Sequence, residues 1–172
     1  MFLNKIKDFW TKKIVKKRLS NVKHLTSNNS IKKIGIIIDE SYFNNIEALI
    51  NELINNKIQA QDIQLLAFRE KIKKSESFDY SVFSYKDLSW IATFNKPEVN
   101  VFINQNFDLL ISYYDLEKAP LLLVTSLSKA RFKVGFSNID KRLNQFMIDT
   151  NAENYIIFIE ELFKYLKILN KL

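Results

Sequence analysis

Apolar residues along the chain fall into continuous runs and helically spaced sets that alternate. The run Lys33-Ile34-Gly35-Ile36-Ile37-Ile38 ends at Asp39-Glu40. An unbroken apolar stretch of this kind reads as a strand buried on both faces, as in the middle of a parallel sheet. Residues 43–57 then carry Phe43, Ile46, Leu49, Ile50, Leu53 and Ile54 at helical spacing, and Ile63-Gln64-Leu65-Leu66-Ala67-Phe68 forms a second strand ending at Arg69-Glu70. Lys71–Ser77 is charged and reads as a solvent loop, followed by a short strand near 80–84 and a short helix from Pro97 to Asn104. Phe107–Tyr113 is a third strong strand, Pro120 opens a helix over Leu121–Ala130, and Phe132–Phe136 and Phe146–Asp149 are short strands before a closing helix over about 152–169. Strands alternating with helices predict one three-layer α/β domain over residues 32–172, with a mostly parallel sheet of about five strands, Rossmann-like or flavodoxin-like.

The first 24 residues differ in kind. At about 100° per residue, Phe2, Leu3, Ile6, Phe9, Trp10 and Ile14 share an arc roughly 140° wide, with Lys5, Lys12 and Lys16 beside it. This is an amphipathic helix over residues 2–14 that extends to about Leu19, with Val15, Leu19 and Val22 turning to another face. A polar connector, 25–31, joins it to the domain. The segment has no uninterrupted apolar run of the kind a signal peptide or a membrane span requires, so a cytoplasmic location is expected.

Charge sharpens this division. The chain of 172 residues has a formal charge of +7. Residues 1–24 hold Lys5, Lys7, Lys12, Lys13, Lys16, Lys17, Arg18 and Lys23 against the single acid Asp8, and residues 25–172 are formally neutral. The basic character therefore belongs to one segment, and the anionic partner it invites is met there. Absence of Cys excludes disulfides, thiolate nucleophiles and cysteine metal sites, and two glycines cannot build a phosphate-cradling glycine loop.

Candidate chemistry lies where the strands end, because ligands of open α/β sheets bind beyond the carboxyl ends of the strands. Asp39, Glu40, Ser41, Arg69, Glu70, Tyr114, Asp115, Glu117, Ser137, Asn138 and Asp149 occupy those ends. Asp39, Glu40, Arg69, Tyr114 and Asp115 form the candidate crevice, with Asp39 and Asp115 as its best carboxylate pair. Acidic residues after strands also cap helices and close turns, and that alternative stands beside the first. Ser126 and Lys129 have helical i, i+3 spacing without other catalytic parts, and His24 is the single imidazole. No catalytic residue, metal or cofactor is assigned. The aromatic stretch 78–94 (Phe78, Tyr80, Phe83, Tyr85, Trp90, Phe94) is either a satellite core under a loop or, with Lys86 and Lys96, a stacking platform for bases or a protein-partner patch.

The strand Phe-Asp-Leu-Leu-Ile-Ser-Tyr-Tyr at 107–114, the segment Ser-Lys-Ala-Arg-Phe-Lys-Val-Gly-Phe at 128–136 and the closing Tyr-Leu-Lys-Ile-Leu-Asn-Lys at 165–171 together resemble a family of small uncharacterised proteins of Bacteroidota. The resemblance spans the chain and implies a bacterial cytoplasmic α/β protein without bringing an activity. The order strand 107–113, helix 120–130 and Ala-Arg-Phe-Lys-Val-Gly-Phe at 130–136 is also similar to part of the N-terminal domain of lipopolysaccharide heptosyltransferases. That likeness implies scaffold and no chemistry.

The expectation is a non-enzymatic α/β protein whose N-terminal helix meets a polyanion. RNA or a ribosome-like particle comes first, contacted by Lys5, Lys12, Lys13, Lys16, Lys17, Arg18 and Lys23 with Trp10 stacking. Two alternatives are an anionic membrane surface under the same helix, and a small-ligand or enzyme module at the crevice near Asp39 and Asp115. The helix's apolar arc docked on its own domain is the structural alternative to either surface contact.

Overall fold

The computed structural model describes residues 2–20, 30–73 and 75–172. Lys23, His24 and most of the connector lie outside the described residues. The elements run α1 (Phe2–Leu19), β1 (Ile34–Asp39), α2 (Ile46–Asn55), β2 (Ile63–Phe68), β3 (Ser81–Phe83), α3 (Pro97–Asn104), β4 (Leu109–Tyr113), α4 (Ala119–Leu127), β5 (Phe132–Phe136), β6 (Phe146–Ile148) and α5 (Tyr155–Ile168). One sheet has the order β3-β2-β1-β4-β5-β6, and every neighbouring pair is parallel. Six strands replace the expected five, because both short segments at 81–83 and 146–148 pair at the edges. The order is that of the Rossmann arrangement and excludes the flavodoxin one, with its switch point between β1 and β4.

Side-chain alternation sorts the helices. Tyr113 and Phe136 pack on Phe158 of α5, and Tyr113 also meets Phe43, so this face belongs to α2 and α5. Ser112 and the following Tyr114 point the other way and hydrogen-bond Thr125 of α4 at 3.2 and 2.7 Å. The chain moves in opposite directions along the sheet from β1 to β2 and from β4 to β5. Crossovers of one hand must then place α2 and α4 on opposite faces, as observed. Gly35 lies on the α3/α4 side, where a Cβ would come within 2.7 Å of the Phe107 ring. Lys133 of β5 reaches under α4 to donate to the Thr125 carbonyl at 2.7 Å, and burial lowers its ammonium pKa to about 8.

Helix α4 is apolar nearly all round (Ala-Pro-Leu-Leu-Leu-Val-Thr-Ser-Leu), and Ala119 through Thr125 are all buried. A helix of that composition needs cover on both sides. The sheet supplies one side and α1 the other, packed along α4 as an additional layer. The face of α1 that docks is not the apolar arc. Thr11, Val15 and Leu19, spaced by four, are the buried residues of the helix, whereas Leu3, Phe9 and Trp10 are 62%, 64% and 50% exposed. Docking of the helix on its own domain therefore occurs, mainly by another face, with Ile14 of the arc packed partly buried against the core. Polar pairing selects it: the Asp8 carboxylate accepts the Ala119 N–H at 2.8 Å and the Tyr85 hydroxyl at 3.0 Å. Lys7 Nζ donates to the Leu88 carbonyl at 2.6 Å. Helix α4 has no acidic residue in its first turn, so Asp8, 111 positions away, supplies the negative charge that its N-terminus favours.

Candidate functional site

At the switch point Lys118 lies across two strand-end carboxylates, Asp39 and Glu70. Asp39 is buried, and its Oδ1 accepts the Ser41 N–H at 3.1 Å. Its Oδ2 lies 2.8 Å from Lys118 Nζ, which also stands 2.9 Å from Glu70 Oε1 and 4.3 Å from the centre of the Tyr42 ring. These are ion pairs by distance, with angles that fall short of hydrogen-bond geometry. Burial raises the Asp39 carboxyl above its ordinary pKa, and Lys118 offsets only part of that.

Glu40 forms a second group, paired with Arg69 at 2.5 Å and accepting the Tyr80 hydroxyl at 2.8 Å. Burial, with Glu40 beside it, pushes the Tyr80 phenol up to about 12. Arg69 also covers the Phe78 ring and reaches Glu76. The remaining strand-end residues tie down loops. Ser41 Oγ accepts the Glu70 N–H, Asp115 accepts the Ala152 N–H, Glu117 accepts the Asp140 N–H, Ser137 donates to Asp149, and Asn138 donates to the Asp115 carbonyl.

The expected crevice residues divide. Asp39 and Asp115 engage separate partner sets: Asp39 joins Ser41 and Lys118, whereas Asp115 serves the loop before α5. Tyr114 does not line the crevice. It follows Ser112 on the α4 face, is buried, and shares its hydroxyl with Thr125, because side chains alternate along the strand. Ser126 donates to the Leu123 carbonyl, and α4 ends at Leu127, so Lys129 is not on the same helix. Among the described residues no three His, Asp or Glu side chains gather as a metal site. Lys118 lies outside the strand-end residues that the sequence singles out. Its signal was a lysine at the N-cap of a helix, where the dipole disfavours a cation unless carboxylates face it.

The surface around α1 is of another kind. Phe9 and Trp10 meet edge to face with centroids 6.1 Å apart, and Lys13 Nζ lies 5.5 Å from the Trp10 ring. Lys5, Lys13, Lys16, Lys17 and Arg18 are exposed, while Lys12 is half-buried and paired with Asp8 at 2.8 Å. Arg142, with a smaller contribution from Lys16, holds the Asp140 carboxyl below the usual range. The 78–94 stretch divides: Phe83, Leu88, Ala92 and Phe94 are core, and Phe78, Tyr80 and Tyr85 pack against it. Trp90 and Ile91 face outward, 53% and 75% exposed. Among the described residues no helix is long and apolar enough to cross a membrane.

Fold and surface together define an all-parallel α/β domain of Rossmann strand order that carries a lysine paired with carboxylates at its switch point and whose first helix presents an apolar, lysine-edged face. The chain belongs to the family of unknown function DUF6913, whose model matches residues 7–169. That match begins at Lys7 and so takes in the docked part of α1. The chain is also 26% identical over 171 residues to the chaperone protein HtpG of Buchnera aphidicola subsp. Cinara cedri (strain Cc), covering 91% of this chain and 27% of that protein. It thus spans about a quarter of the length of the curated relative it matches.

Proposed function

We propose that this protein is a binding domain that attaches to an anionic membrane surface, on its cytoplasmic side, through the outward face of α1. One observation carries the reading: the helix docks through Thr11, Val15 and Leu19 and turns Leu3, Phe9 and Trp10 of its apolar arc to solvent. A lysine-rich helix with aromatic and aliphatic residues on its exposed face suits the headgroup boundary of a bilayer. Full burial of such side chains is worth roughly 1.5–3 kcal/mol each, and each lysine near an anionic surface about 1 kcal/mol. Leu3, Phe9 and Trp10 with Lys5, Lys13 and Lys17 are enough for reversible attachment. RNA, first in the reading of the sequence, uses the lysines but gains little from Leu3. Lys118 across Asp39 and Glu70 supports a binding role over chemistry at the strand ends.

Co-sedimentation with phosphatidylserine-containing vesicles tests this. Wild-type protein is expected to bind them and to ignore neutral phosphatidylcholine vesicles. The pair Phe9→Ala/Trp10→Ala and the pair Lys13→Glu/Lys17→Glu should each abolish binding without moving the unfolding midpoint. Salt-sensitive binding to RNA that survives Phe9→Ala/Trp10→Ala, with no vesicle binding, would overturn the membrane reading in favour of RNA.

A further inference from the structure

Both tryptophans of the chain are about half exposed, and a single lysine joins their surroundings. Lys7 Nζ, besides its bond to the Leu88 carbonyl, lies 5.4 Å from the Trp90 ring. Leu3 and Trp10 stand one helical turn to either side of Lys7 and lean toward the outward face. The 84–96 loop therefore sits against the same end of α1 that carries the exposed arc.

The loop is built to hold its tip out. Leu88 bridges Phe94, the Ser89 N–H donates to the Thr93 carbonyl at 2.8 Å, their hydroxyls meet at 2.7 Å, and the Asn95 N–H donates to the Asp87 carbonyl at 2.9 Å. Leu88, Ala92 and Phe94 anchor this closed turn in the core, and Ala92 takes a left-handed backbone, φ 55°. A non-glycine residue in that region costs free energy and persists where its surroundings enforce it. The result is two consecutive large apolar residues, Trp90 and Ile91, held to solvent on a fixed base. Of the three charges on the loop, Asp87 turns its carboxylate inward to the Ser84 N–H and hydroxyl, Lys96 donates to the Val82 carbonyl at 2.6 Å, and Lys86 is exposed. The charge left at the surface here matches an anionic partner.

We infer that the 84–96 loop is a second insertion element, which places Trp90 and Ile91 in the interfacial layer of an anionic bilayer beside Leu3, Phe9 and Trp10 of α1. This rests on the membrane reading above and adds a consequence. Two points of insertion on elements joined by Lys7 fix the orientation of the domain on the lipid, where a lone helix would leave it free to roll. Tryptophan rings favour that depth, and the exposed Lys5, Lys13 and Lys86 around them carry their ammonium groups toward the phosphates, while Lys7 ties the two elements together.

The chain's own tryptophans serve as probes in the full-length protein. Trp10→Phe leaves Trp90 as reporter, and Trp90→Phe leaves Trp10. With phosphatidylserine-containing vesicles, both reporters are expected to shift to the blue and to be quenched by brominated acyl chains. Ile91→Glu, at a solvent-exposed position, should weaken vesicle partitioning about tenfold, a loss of about 1.4 kcal/mol, with the unfolding midpoint unchanged. A response from Trp10 without one from Trp90, together with normal partitioning of Ile91→Glu, overturns the loop's role and leaves the helix reading standing. Silence from both tryptophans overturns both. A blue shift of Trp90 that rises with protein concentration in lipid-free buffer, with a dimer in sedimentation, overturns the choice of lipid in favour of a second copy of the chain.

Discussion

Lys118→Met separates a sealed strand-end crevice from an open one. The substitution keeps most of the side-chain volume packed on Tyr42 and Phe68 and removes the cation beside Asp39, whose side chain is 6% exposed. The carboxylate then retains only the Ser41 N–H. Breaking a buried pair by removing one partner typically costs about 3–5 kcal/mol, because the other charge remains buried. The bond to Glu70, whose side chain is 49% exposed, adds little. Loss of about 3 kcal/mol at pH 7 is therefore expected, read by urea unfolding followed by circular dichroism.

The pH dependence carries a sign. Burial raises the Asp39 pKa in the folded state, so the folded protein favours the neutral carboxyl. Stability from this source is full below the unfolded value near 3.8 and is lost as pH rises through the folded value. Without Lys118 the folded value rises further. The gap between wild type and Lys118→Met should accordingly narrow as pH falls from 7 toward 4, and the difference between the two proteins cancels titrations they share. Asp39→Asn/Lys118→Met should recover stability to within about 1 kcal/mol of wild type. A loss below about 1 kcal/mol at pH 7, or a gap independent of pH, would refute the buried pair and reopen the strand ends as a ligand site.

Asp8→Ala should cost about 1–2 kcal/mol by uncapping α4 and leaving the Tyr85 hydroxyl without its acceptor, and a double-mutant cycle with Tyr85→Phe should show coupling between the two. Gly35→Ala drives a methyl into the Phe107 ring, and a loss of about 1–3 kcal/mol is expected in the same unfolding assay. Lys133, lowered to about 8 in the folded state from 10.5, should make the wild type more stable as pH rises between those values. Lys133→Met should remove that slope, which can amount to about 3 kcal/mol.

The two faces of α1 give the functional question its experimental shape. Removal of the helix would uncover the apolar back of α4 and damage the fold together with any surface contact. Substitutions on the outward face leave Thr11, Val15 and Leu19 in place and so test binding alone. The basic segment is thus not the detachable tether its charge suggests, since Asp8 and Lys7 stitch it to the α4 N-terminus and the 84–96 loop.

Much of this architecture is legible without coordinates. Central parallel strands are buried on both faces, so Ile34–Ile38 and Leu109–Tyr113 announce themselves as unbroken apolar runs. Helices α2 and α5 show their period because one side of each stays in solvent. The concentration of positive charge in the first 24 residues is likewise a matter of counting, and the cap-and-turn alternative for strand-end carboxylates was readable from residue type. Strand order was not, because hydropathy records that a strand is buried and not beside which neighbour. Nor was the docked face of α1: moment arithmetic seats the largest apolar arc inward, whereas Asp8's hydrogen bonds and the fit of Thr11 and Val15 against α4 turn it out. Pairing of Asp39 with Lys118, 79 positions apart in the chain, arises only when the switch point brings the end of β1 against the start of α4. Local sequence decides what each segment can bury, and only the assembled sheet decides which partner it buries it against.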